Sequence, residues 1–189
     1  MENKKILPIK IIHALLMIAA LVMSIMEFAK LGSIDSIYTA SVFPALCTIT
    51  NILALIVGFI YLFKGYKKNA NVYYKVFMGL CVLFSVLHMT AMSRFIMPYT
   101  ETLVYMIAAI MLVILAVGKD LGKRNTYIVF AIMMICRLIP LFTSLSSLQY
   151  FGEAGFGMLS QVISNILIAG TVGFMVTGKY LDKDERGAN

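Results

Sequence analysis

The chain has 189 residues, 61% of them hydrophobic and only 13% charged, with a mean hydropathy of +0.91. A water-soluble domain is about a quarter charged, so this composition excludes one and predicts an all-α integral membrane protein. The net charge of +7 does not mark a nucleic-acid partner, because nearly all the basic residues lie in short stretches between apolar runs, where they set membrane orientation.

The N-terminal stretch MENKKILPIKIIHALLMIAALVMS has the basic and apolar regions of a signal peptide, but no small-x-small cleavage site follows it. It reads as an uncleaved first span over 11–29. His13, Met17, Ala20, Ser24 and Glu27 fall on one of its faces at helical spacing. The second span, 42–63, carries Thr48, Asn51, Leu55 and Gly58 on one stripe. In the third, 73–95, the stripe is Tyr74, Phe77, Cys81, Ser85 and His88. The fourth, 102–118, has no polar stripe below Tyr105 and is predicted to be the most lipid-exposed. The fifth, 126–146, holds Arg137 with Pro140 three residues on. The sixth, 156–177, aligns Gln161, Asn165, Ala169 and Gly173, a polar and small-residue face suited to close packing. Each segment is near the roughly 20 residues that cross a hydrocarbon core. The prediction is therefore a bundle of six transmembrane helices forming a single domain over 1–189.

Orientation follows from the basic residues. Thirteen Lys and Arg flank the connections and termini on one side, against Lys30 and Arg94 on the other. This bias puts both termini in the cytoplasm and the protein in the cell membrane as a multi-pass chain. No Trp is present, so interfacial belts fall to Tyr: Tyr61, Tyr66, Tyr73, Tyr74, Tyr127 and Tyr180 inside, Tyr38, Tyr99 and Tyr150 outside.

Arg137 is the sharpest feature. No acidic residue lies within fifteen positions of it, and a span-centre Arg costs about 2.5–3.5 kcal/mol on insertion scales. Helical rise sets it roughly 15 Å from the inner boundary, at the depth of Asn51 and Asn165. As a functional group it is a fixed positive charge for an anionic solute. As a structural one it pairs the Cys136 carbonyl that Pro140 frees, or the side chains of Asn51, Asn165 or Gln161. The candidate substrate-binding residues are Arg137, Asn51, Asn165, Gln161 and His88. Glu27 and Glu153 lie near the outer edge, where water solvates them, and His13 near the inner boundary reads as interfacial.

No cofactor or metal is expected. His13 and His88 differ in depth by about 15 Å at helical rise and cannot share a haem. Cys47, Cys81 and Cys136 lack paired spacing and read as small core residues. No HExxH, GxSxG, Walker A or GxGxxG occurs, so no enzyme is indicated.

In size, helix count and inward termini the chain is similar to the substrate-binding components of energy-coupling-factor vitamin transporters. The nearest counterpart here of their first-span Ala-x-x-x-Ala motif is Ala20-x-x-x-Ser24, and no residue roles carry over. The resemblance implies a small-solute transporter, or a substrate-binding membrane subunit of one. The alternative is a membrane scaffold or interaction protein whose partner is another membrane protein, with Arg137 a structural peg.

Overall fold

The computed structural model describes residues 7–31, 42–64, 70–92, 99–117, 121–151, 160 and 162–177. Gln161 and Glu153 lie outside them. The described residues form six helices: α1 Leu7–Leu31, α2 Val42–Lys64, α3 Ala70–Met92, α4 Tyr99–Val117, α5 Gly122–Phe151 and α6 Val162–Thr177. All six apolar segments are thus helical. By length and composition four are apolar enough to cross a membrane, over Leu7–Ala29, Ala45–Phe63, Val72–Met89 and Gly122–Phe142. The apolar parts of α4 and α6 are shorter, Thr102–Val117 and Val162–Thr177.

Local sequence explains the helix limits. Pro8 and Pro44 fall in the first turns of α1 and α2, where the missing N–H has no intrahelical acceptor to lose. Long Leu, Ile and Met runs then continue each helix with little loss of rotamer freedom. The fifth segment was expected over 126–146, yet α5 runs from Gly122 to Phe151 with Pro140 inside it. Hydropathy reports the apolar length of a helix, and α5 has a polar turn at both ends that hydropathy leaves out.

Contacts at two levels fix the direction of each neighbour. Between α1 and α2, Met17 lies against Gly58, and Asn51 Nδ2 donates to Ser24 Oγ at 3.1 Å. For α2 and α3 the pairs are Gly58 with Phe77 and Cys47 with His88. Tyr74 donates to the Leu115 carbonyl at 2.7 Å, and the His88 and Tyr105 rings stand 4.3 Å apart; these align α3 with α4. Phe130 meets Gly173 and Arg137 bonds Asn165, which aligns α5 with α6. Rising numbers on one helix meet falling numbers on the next, so these pairs run antiparallel. His13 and Thr171, bonded at 3.0 Å, bring the start of α1 beside the end of α6.

Helix α6 is the centre of the bundle. Of its described residues from Val162 to Thr177 only Ile163 is exposed, and its partners lie on α1, α2 and α5. Close approach makes this possible. A Cβ at Gly58 would stand 2.8 Å from the Phe77 ring and 3.2 Å from Thr171, and one at Gly170 would stand 2.8 Å from the His13 ring. The core around it is Met17, Leu55, Phe77, Leu112, Met133 and Val172.

The prediction that the fourth helix is the most outward-facing is corrected. Helix α4 buries Tyr105, Ala108, Ala109, Leu112 and Leu115, whereas α1 exposes Leu7, Ile9, Ile11, Ile12, Leu15, Leu16, Ile18, Val22, Ile25, Met26 and Phe28. Apolar side chains pack inward as readily as outward, so a missing polar stripe does not report exposure. What turns α1 outward is the single narrow line of Ala14, Met17, Ala20 and Ser24 that it buries.

Candidate functional site

Arg137 is buried, at 3% exposure, and points from α5 across to α3, α4 and α6. Its Nη1 donates to Asn165 Oδ1 at 3.1 Å and its Nη2 to Ser85 Oγ at 2.6 Å. The guanidinium carbon stands 5.4 Å from the Tyr105 ring centroid, within the roughly 6 Å over which a ring face attracts a cation. Ser85 Oγ donates in turn to the Cys81 carbonyl at 2.8 Å. That bond commits its proton and turns its lone pairs toward Arg137, so toward the guanidinium the serine acts only as an acceptor. Two of the five guanidinium N–H groups are engaged in this way.

These partners settle part of what the sequence left open. The hydrogen bonds of Arg137 go to Asn165 and Ser85 among the described residues, not to the Cys136 carbonyl or to Asn51. Pro140 therefore does not supply its anchor. Among those residues no carboxylate pairs with it either. The positive charge sits among an amide, a hydroxyl and an aromatic face, all of them neutral.

The other candidates separate into neighbours and outliers. Asn165 touches Arg137 directly. Asn51, 1% exposed, bonds Ser24 instead, and its Oδ1 has no hydrogen-bond partner among the described residues. His88 is buried without a bond to Arg137. Its Nδ1 stands 3.9 Å from Cys47 Sγ, and its ring lies between Phe84, at 5.6 Å, and Tyr105, at 4.3 Å. His13, expected to be interfacial, is half-buried against Gly170 and Phe174. Its Nε2 pairs with Thr171 Oγ1. The proton of that hydroxyl is directed to the Leu167 carbonyl at 3.1 Å or Met17 Sδ at 3.4 Å. The pair of histidine nitrogen and hydroxyl joins α1 to α6.

Sequence reasoning missed Ser85 and Tyr105 as arginine partners. The signal for Ser85 was its stripe with Cys81 and His88, the only polar face of the third span. Tyr105 carried a signal too, as the one polar interruption of the fourth. Cys47, Cys81 and Cys136 are all buried and free, as core residues should be. They also lie within electrostatic reach of Arg137, a convergence of three helices that no linear spacing encodes. No group of His, Cys, Asp and Glu able to hold a metal occurs among the described residues.

Chemically the arrangement is a fixed cationic hydrogen-bond donor. Asn165 and Ser85 fix the guanidinium plane, and the ring of Tyr105 covers one side. A guanidinium is a group able to pair with an anion. No protein-family model matches the chain, and neither a curated protein nor a solved structure is similar to it.

Proposed function

We propose that the protein is an integral membrane protein that binds a small anionic solute at Arg137 and carries it across the cell membrane, alone or as the binding subunit of a larger transporter. In this reading six helices span the bilayer and both termini are cytoplasmic. The outward apolar side chains of α1 support the membrane setting: exposed to water, each would cost on the order of 25 cal/mol per Å² of apolar surface. The thirteen-to-two distribution of basic residues supports the orientation.

One observation carries the functional part. A buried guanidinium with no carboxylate partner among the described residues keeps a net positive charge in an apolar surrounding. An intramembrane ionisable group of this kind is retained for a pathway or a ligand. The competing scaffold reading draws on the same geometry, since Asn165 and Ser85 hold Arg137 as a peg would.

Thermal unfolding of the purified protein, with and without small carboxylates, phosphate and sulfate, separates the two. A ligand at a hundred times its Kd adds about 2.7 kcal/mol of stability, visible as a rise in Tm. The expected result is a rise for the native protein that Arg137→Gln abolishes, together with Arg137-dependent uptake of the same anion into proteoliposomes. If no anion shifts the native protein and Arg137→Gln only lowers its Tm, Arg137 is a peg and the scaffold reading stands.

A further inference from the structure

The seam between α1, α2 and α6 can be followed along its length. At one level Met17, Gly58 and Thr171 meet. A Cβ at Gly58 would stand 3.1 Å from Met17 and 3.2 Å from Thr171, and Thr171 Oγ1 lies 3.4 Å from Met17 Sδ. Both α2 and α6 run antiparallel to α1, so a stride of two helical turns toward the other end leads to Ser24, Asn51 and Ser164. Ser24 and Asn51 are indeed bonded, at 3.1 Å. Between the two levels the seam is closed by Ala20, Leu55 and Ile168, all buried.

The upper level is polar and incompletely paired. Asn51 Oδ1, Ser164 Oγ and, four residues before Ser164, Ser160 Oγ are buried without hydrogen-bond partners among the described residues. Asn51 and Ser164 are 1% and 0% exposed, and neither bonds the other across the seam. Leaving such groups unpaired in an apolar interior is costly. The same turn of α6 carries Asn165, which bonds Arg137. Cys47, one turn from Asn51 on α2, is within electrostatic reach of that guanidinium. The unpaired groups thus stand at about the level of Arg137 along the helices.

From this juxtaposition we infer that the anion bound at Arg137 is a small carboxylate bearing an adjacent hydrogen-bond donor, an α-hydroxy or α-amino acid. This inference rests on Arg137 being an anion site. The carboxylate faces the guanidinium. An amide oxygen can only accept, so Asn51 Oδ1 requires a hydroxyl or ammonium opposite it, and the Ser160 and Ser164 hydroxyls complete its shell. A plain alkyl carboxylate leaves those groups unpaired and is discriminated against for that reason.

Propionate, lactate and alanine differ only at the relevant carbon, and their affinities for the purified protein in lipid nanodiscs test the assignment. The native protein is expected to bind lactate or alanine at least about tenfold more tightly than propionate, one hydrogen bond's worth of discrimination. Ser164→Ala and Asn51→Leu should each bring that ratio below about threefold. Ser164→Ala removes one oxygen and keeps the fold even where Asn51→Leu, which also breaks the bond to Ser24, does not. Equal, Arg137-dependent binding of all three acids overturns the donor assignment and leaves the anion site standing. So does Arg137-dependent binding of phosphate or sulfate alone. Absence of any anion binding removes the site and this inference with it.

Discussion

At the scale of single residues, the site turns on what Ser85 does for Arg137. The serine proton goes to the Cys81 carbonyl, so the bond from Nη2 at 2.6 Å depends on a lone pair that helix α3 has already oriented. Hydrogen bonds to a charged group contribute about 1.5–3 kcal/mol. Ser85→Ala should therefore lower the unfolding free energy by about 2 kcal/mol. In an Arg137→Met background the same change should cost less than about 1 kcal/mol, because the partner charge is gone. Equal costs in the two backgrounds would mean that the pair is not coupled. Sequence made Arg137 and Asn165 legible here, since depth follows from counting residues along a helix. Ser85 and Tyr105 stayed hidden because partner choice depends on which helices adjoin, and no periodicity states that. For the same reason the sequence did not show that Asn51 bonds Ser24 across the α1–α2 seam.

At the scale of helices, the six apolar segments were readable because spacing and hydropathy are properties of one helix at a time. Their packing was not. A polar stripe tells which side of a helix faces protein, but not how many other sides do, and so the small-residue face of the sixth segment signalled close packing without showing that α6 is central or α1 peripheral. Glycine is the residue type that betrays the close contacts, and it does so with opposite signs at two positions. At Gly58 an added Cβ meets the fully buried Phe77 ring at 2.8 Å, whereas at Gly79 nothing lies within 4 Å. Gly58→Val should then destabilise the protein by about 1–3 kcal/mol through overpacking. Gly79→Ala should stabilise it by about 0.5–1 kcal/mol by restricting the unfolded chain and favouring the helix. Denaturant titration of the two variants reads both signs. Destabilisation by Gly79→Ala, or a neutral Gly58→Val, would contradict the packing of α2 on α3.

At the scale of the whole molecule, the alternating directions of the helices bring His13 of α1 beside Gly170 and Phe174 of α6, so the first helix starts and the last one ends at the same side of the bundle. The proposed orientation assigns that side to the cytoplasm on charge alone, and the cysteines provide a way to check it. All three native thiols are buried, at 2%, 1% and 7% exposure for Cys47, Cys81 and Cys136. A membrane-impermeant maleimide should hardly touch the native protein in intact cells. Asp35 lies between the first two segments and Lys67 between the second and third, on opposite sides of a bilayer if each segment crosses once. Asp35→Cys should label from outside in intact cells, and Lys67→Cys only after permeabilisation. The reverse pattern would turn the molecule over and oblige the basic residues to face outward, against the positive-inside rule. Labelling of both from outside would mean that the second segment does not cross, and Arg137 would lose the midplane depth on which the anion site depends.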